Sequence, residues 1–436
     1  MGATSFLRRL LSGGQGGVDR RVHELLSLCE SLLAESGEYA STALARDALA
    51  GYQALEPHLR EEFFDMLARH YSPSPEAVSA AAGAYQADPS PENLLKLETA
   101  VEPARRELFR RLNMAQGGTA ALVEMRRQIG KGLRERPAWR AIDADLMHLL
   151  RSWFNRGFLR LERIDWHSSA ILLEKLIQYE AVHAIEGWRD LRRRLEADRR
   201  CFAFFHPQLP EEPLIFIEVA LTRGMSTRVQ PLLDVRSPVA APQKADCAMF
   251  YSITNCQEGL RGISFGNQLI KQVAEELKRE FPHLRRFATL SPIPGFRAWL
   301  AKNAERELLA KIEDPAWHLG EVSDELEKQL TSLCAYYLLQ AKQPDGKELN
   351  GGEPLDAVAR FHLGNGAVLE RLNWMADSSE QGMARSAGLM VNYVYWLAEV
   401  EKNHERYVHE HAIAASPAIE KLARDHAAER TKGKAA

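Results

Sequence analysis

With 436 residues, 45% of them hydrophobic, the chain carries more apolar material than one compact core uses, which points to two domains and excludes a tail or fibre. Lys and Arg number 56 against 59 Asp and Glu, and the net charge of -3 offers no bulk attraction to nucleic acid or an anionic membrane. The five cysteines, Cys29, Cys201, Cys247, Cys256 and Cys334, are scattered and odd in number, which argues against a secreted disulfide framework and a zinc ribbon and for a reducing cytoplasm.

The opening run MGATSFLRRLLSGGQGG is too short and too weakly apolar for a secretory signal; its two arginines and glycine-rich break fit an organelle presequence, and a frayed N-terminus is the preferred reading. No stretch approaches the roughly 20 apolar residues of a membrane span. From Val22 to about Ile185 the pattern is helical almost throughout. Val22, Leu25, Leu26, Cys29, Leu32 and Leu33 recur at helix spacing and predict a bundle helix with one apolar stripe. Ser74 and Ser90 each precede a proline at a first helical position, where a missing amide proton costs nothing, so both are expected to cap helices. The two glycines of AQGGTAAL (115–122) mark a stop and a restart.

Near Cys201 the texture changes to short aromatic and β-branched runs, CFAFFHP, PLIFIEVALT and CAMFYSIT, which read as strands. Helices and strands then alternate: the helix GNQLIKQVAEELKREF, the strand RRFATL, the helix DELEKQLTSLCAYYLLQAK, the strand-like VARFHLGNGAVLERLNW and a final long helix from about Ser379. The fold class is therefore α+β, with an all-helical bundle domain over 1–185 and a mixed α/β domain over 186–436. GWRDLRRRLEADRR serves as the joining segment, with the boundary near Glu186.

Three runs carry chemistry. In YSITNCQEGLRGISFGNQLIKQ a strand ending at Thr254 leads through a loop with Gly259, Gly262 and Gly266 into an amphipathic helix. Free amides and the positive dipole end at such a helix start suit a phosphate, and Arg261 and Lys271 could add charge. The loop lacks the Gly-Lys-Ser/Thr of a P-loop and misses the dinucleotide spacing, and a plain strand-to-helix turn is an equal reading. In FATLSPIPGF, Pro292 and Pro294 hold Ser291 and Ile293 extended, so no helix starts before Gly295. Ser291 then stands at a strand's carboxyl end, where open sheets place ligands, or else caps a rigid turn. In ARFHLGNG, His362 is flanked by Phe361 and Leu363; it is either a structural hydrogen-bonder or a proton carrier near neutrality. GLMVNYVYWLAE (388–399) reads as one helix, mostly core, with a tyrosine hydroxyl able to reach a site.

These runs in this order resemble the malonyl-CoA decarboxylase family closely over Trp166–Glu399, with YEAVHAIEGWRDLRRRL, DRRCFAFFHP and EPLIFIEVALT in support. The resemblance implies a helical N-terminal domain used for self-association, as a homodimer or homotetramer. It also implies a catalytic domain shaped like the GCN5-related N-acetyltransferases. Substrate and product would be malonyl-CoA and acetyl-CoA, with no cofactor and no metal, while the charge balance argues for no nucleic acid or membrane partner and the cysteines for a cytoplasmic setting. Carried over by motif, the CoA-binding run is Arg261, Gly262, Ile263, Ser264, Phe265, Gly266 and Asn267. The catalytic serine is Ser291, the catalytic histidine His362 and a supporting tyrosine Tyr395, with Ser291 and His362 also touching substrate. Animal members carry glutamate where this chain has Ser264, so a mechanism needing that carboxylate does not transfer. An acetyltransferase acting on an amine, or a non-catalytic acyl-CoA-binding protein, would share the CoA loop.

Overall fold

The computed structural model describes residues 18–263, 269–320, 322–343 and 352–433. They form two compact units. One comprises the chain up to Leu159 with the short segments around His206 and Gly259; the other holds Arg160–Phe205, Glu211–Cys256 and the described residues from Leu269 onward.

The first unit is built of helices Arg20–Ala34, Glu38–Ala54, Pro57–His70, Pro75–Ala87, Pro91–Val101, Ala104–Leu112, Gly118–Gly132 and Arg140–Trp153. The expected stripe is present: Val22, Leu25, Leu26, Cys29 and Leu32 are all buried. Ser74 Oγ accepts from the Ala77 amide and Ser90 Oγ from the Asn93 amide, each ahead of a proline, as their sequence position predicts. Gly117 takes the left-handed φ of 76° that separates two of these helices. Asp145, buried, is held by Arg105 Nε and Arg106 Nε at 2.5 Å each.

The second unit is organised by a sheet of eight strands: β1 (Arg160–Ile164), β2 (Arg199–Phe205), β3 (Ile215–Thr222), β4 (Cys247–Asn255), β5 (Arg286–Thr289), β6 (Ser291–Pro292), β7 (Val368–Asn373) and β8 (Met390–Val394). The order is β1-β2-β3-β4-β5-β8-β6, with β7 also paired to β8. β2, β3 and β4 are buried over most of their length because two separate cores cover the sheet, one around Met249, Leu290 and Met390, the other around Leu176, Phe205 and Phe216. All pairs are antiparallel except β4 and β5. Parallel neighbours need a crossover, which the helix Leu269–Glu280 supplies.

The parallel pair is short. It runs from Cys247 opposite Arg286 to Phe250 opposite Thr289, and the Leu290 amide adds a last bond to the Phe250 carbonyl at 2.9 Å. Beyond that point β4 continues to Asn255 bonded to β3, whereas Ser291 and Pro292 turn to pair with Val391 and Met390 of β8. The two chains diverge and leave a wedge open at their carboxyl ends.

Several expectations are corrected. His362 lies in the last turn of a helix, Ala357–Gly364, not in a strand; β7 begins only at Val368. Asp356 explains this: its Oδ1 accepts from the amides of Val358 and Ala359 and starts the helix, and Gly366 with φ 79° ends it. The run 388–399 is strand β8 followed by a turn, not a helix, since every residue from Met390 to Val394 is buried between neighbours on both faces. The long helix expected from Ser379 is only Glu380–Ser386, with further helices at Val400–Glu410 and Pro417–Gly433. The division falls at Leu159, earlier than Glu186, because the charged strand β1 pairs with β2. GWRDLRRRLEADRR is no linker: Arg194 is buried and donates to Glu218 Oε2 at 2.7 Å and Asp190 Oδ1 at 3.0 Å.

Candidate active site

The wedge between β4 and the Ser291 strand holds a cavity of about 220 Å³, walled by Phe250–Ile253 and Asn255 on one side and Leu290–Pro292 on the other. The helix Ala357–Gly364 closes it with Ala357, Val358, Phe361 and His362. Most of that lining is apolar, with a few convergent polar groups, which is the usual composition of a small-molecule site.

Ser291 is placed by local chemistry. The prolines keep the chain extended through Ile293, which is fully buried, and the helix Phe296–Asn303 starts after Gly295 as expected. Gly295 is required by close approach, because a β-carbon there would overlap the Tyr337 hydroxyl. That hydroxyl in turn donates to Asp356 Oδ2 at 3.3 Å, so the turn after Ser291 and the start of the His362 helix share one buried contact.

Three of the expected side chains come together. Ser291 Oγ lies 3.0 Å from His362 Nε2, and His362 Nδ1 lies 2.8 Å from the Tyr395 hydroxyl. All three are buried, and the imidazole stacks on Tyr393 with centroids 4.6 Å apart. Burial pushes the His362 pKa down to about 3 and the Tyr395 hydroxyl well above its ordinary value. At neutral pH the histidine is therefore an uncharged imidazole with one N–H, and Tyr395 keeps its proton.

The glycine loop is described only in part. Ser264, Phe265, Gly266 and Asn267 lie outside the described residues. Gly259 packs where a β-carbon would strike the Val123 carbonyl, and Gly262 takes φ 81°, so both glycines have structural reasons of their own. Arg261 is exposed, its carbonyl accepting from Arg126; Ile263 is buried. Lys271 Nζ is engaged with Glu401 at 2.7 Å.

Sequence reasoning missed several polar groups around the cavity. Thr289, fully buried at the end of β5, accepts from Ser291 Oγ at 2.8 Å and from the Tyr393 amide at 3.2 Å. Glu180 is buried and accepts from Ser252 Oγ at 2.7 Å, Thr254 Oγ1 at 3.2 Å and the amides of Val182 and His183. Asn392 Nδ2 donates to the Thr289 carbonyl at 2.7 Å, which ties β8 to the strand that ends in Ser291. None of these sits in a turn or motif that marks it singly; alternation of Ser252 and Thr254 along β4 is the one available hint. Among the described residues no group of three or more His, Cys, Asp or Glu side chains could hold a metal ion.

Two family models match the chain: the malonyl-CoA decarboxylase N-terminal domain over residues 71–154 and the C-terminal domain over 157–433. A mitochondrial malonyl-CoA decarboxylase of Rattus norvegicus is 38% identical over 360 residues, 74% of this chain and 72% of that protein. The Anser anser anser protein of the same name is 37% identical over 353 residues, covering 73% and 69%. Among solved structures, the malonyl-CoA decarboxylase of Rhodopseudomonas palustris superposes with a TM-score of 0.87 at 48% identity, covering 92% of this chain and 99% of that one. That of Agrobacterium vitis gives 0.84 at 46% identity, with the same coverage.

Proposed function

The chain belongs to the malonyl-CoA decarboxylase family and is a carboxy-lyase acting on malonyl-CoA; we propose that it forms acetyl-CoA and CO2 through a thioester enolate generated and protonated beside Ser291 and His362. The observation that carries this assignment is the Tyr395–His362–Ser291 chain opening onto an apolar cavity in the β4 wedge.

Loss of CO2 leaves electrons that the thioester itself accepts, so no cofactor enters this reading. The protein must hold the carboxylate out of the thioester plane, stabilise charge on the thioester oxygen and deliver a proton to carbon. Preorganised donors in a water-poor site lower such a barrier most. Ser291 is assigned to the malonyl carboxylate and the departing CO2, His362 to the thioester oxygen and the carbon, and Tyr395 to orienting the imidazole. A neutral imidazole suits this role, because it donates a hydrogen bond to the developing oxyanion without attracting the substrate carboxylate into a tight ground-state ion pair. One proton from solvent replaces the one left on acetyl-CoA in each turnover.

The CoA phosphates are assigned to the run Arg261–Asn267, which precedes the helix Leu269–Glu280 in the chain, since the positive dipole end of a helix favours a pyrophosphate. Self-association as a homodimer or homotetramer is supported by the helices Pro75–Ala87 and Pro91–Val101, which pack on each other yet have no fully buried residue and leave Leu95 63% exposed. A cytoplasmic setting agrees with five free, buried cysteines. No helix among the described residues is long and apolar enough to cross a membrane.

The test is purified protein with malonyl-CoA alone, reading acetyl-CoA and CO2. Release of CO2 without any amine separates decarboxylation from acyl transfer. His362→Ala is expected to abolish turnover while CoA still binds; joint loss of binding and turnover would make the histidine structural. Acyl-CoA binding with no product from the unaltered protein would sink the enzymatic reading.

A further inference from the structure

The hydrogen-bond chain has a direction, and the group that sets it is Thr289. Thr289 Oγ1 receives two donors, the Ser291 hydroxyl at 2.8 Å and the Tyr393 backbone amide at 3.2 Å, so both of its lone pairs are taken. Ser291 has one proton, and before substrate enters the site that proton points to Thr289. The contact of 3.0 Å between Ser291 Oγ and His362 Nε2 is then a hydrogen bond only if Nε2 carries the hydrogen. Nδ1 is left as the acceptor, and the Tyr395 hydroxyl, 2.8 Å away and holding its proton, fills it. The chain reads Tyr395 O–H to Nδ1, Nε2–H to Ser291 Oγ, Ser291 O–H to Thr289 Oγ1.

We propose that Thr289 is a positioning residue which, by accepting the Ser291 proton, holds His362 as its Nε2–H tautomer with the donating nitrogen facing the cavity side of the site. The inference rests on the reading of Ser291 and His362 as the reacting groups and adds what keeps them in the competent protonation pattern. Thr289 is suited to this because it is fully buried, sits on the last residue of β5 and is anchored from a second side by its carbonyl, which accepts from Asn392 Nδ2 at 2.7 Å. Without Thr289 Oγ1 the cheapest rearrangement is a reversal. Ser291 would donate to Nε2, the imidazole proton would move to Nδ1, and Tyr395 would become the acceptor. His362 Nε2 would then have no proton to give the thioester oxygen.

The test reads the tautomer directly. Protein labelled with 15N-histidine gives two-bond spectra in which the pyrrole-type and pyridine-type nitrogens are distinguished, and His362 is assigned by its absence in His362→Asn. The wild type is expected to show Nε2 as the protonated nitrogen; Nδ1–H in the wild type overturns the proposal without any variant at Thr289. Thr289→Val keeps the β-branched shape and is expected to switch the tautomer to Nδ1–H, lowering kcat about tenfold or more with little change in KM, the pattern of a lost transition-state donor. Thr289→Ser is expected to restore both tautomer and kcat. Retention of Nε2–H in Thr289→Val refutes the inference. Because the spectra need no substrate, failure of the wild type to release CO2 would count against the decarboxylase reading and leave the tautomer result standing.

Discussion

Tyr395→Phe isolates one hydroxyl. The ring of Tyr395 is buried and phenylalanine fills the same space, so packing is retained and the change removes only the donor 2.8 Å from His362 Nδ1. A buried acceptor left unpaired in this way costs about 1–3 kcal/mol. That cost falls on both tautomers, because Nδ1 loses its partner whether or not it carries the hydrogen, so what the variant loses is the bond that anchors the ring. The same ~1–3 kcal/mol no longer holds the ring in its reacting orientation, and with each 1.36 kcal/mol worth tenfold in rate, kcat should fall roughly 5- to 150-fold. KM should stay within about twofold, because the lost bond touches no substrate atom. The assay is continuous acetyl-CoA formation, run beside chemical unfolding, where the variant should lose about 1–3 kcal/mol of stability. A variant that is folded, destabilised and fully active would refute the claim that Tyr395 orients the imidazole.

Two further expectations concern pH and the helix that carries His362. Burial lowers the His362 pKa to about 3, whereas the unfolded chain protonates its histidines near 6.5, so between those values the unfolded state binds the extra proton. Stability therefore falls as pH drops below about 6.5. From pH 7 to pH 5 the wild type should lose about 2 kcal/mol more unfolding free energy than His362→Gln, and an equal loss in both would be the wrong outcome. The same low pKa predicts that the His362 ring nitrogens show no titration between pH 6 and 8 in 15N spectra; a titration there would contradict it. Asp356→Ala removes the acceptor for the Val358 and Ala359 amides and the partner of Tyr337, and should cost about 1–2 kcal/mol in urea unfolding with a drop in kcat. Asp356→Asn can still accept from those amides and should recover most of both; no recovery would count against the capping role.

What the sequence made legible was local turn chemistry. The prolines around Ser291 act on their own and neighbouring backbone angles, so the extended segment and the late helix start at Gly295 could be read without knowing what lay nearby. The serine caps at Ser74 and Ser90 were legible for the same reason. His362 and Tyr395 were identified by motif but set on the wrong elements. LDAVARFHLGNG carries a capping Asp356 and a terminating glycine, and these outrank the strand-like composition of the run that follows; read together, they separate helix 357–364 from β7. β8 misleads because a short apolar run buried on both faces has no period, and only its neighbours decide that it is a strand. Thr289, Glu180 and Arg194 were invisible for a deeper reason. Each is polar, buried and satisfied by partners distant in the chain: Tyr393 for Thr289, Ser252 for Glu180, Glu218 for Arg194. The chemistry of the site thus depends on residues whose role exists only once β4, β5 and β8 lie side by side, and it is at those crossings that substitutions should separate activity from folding.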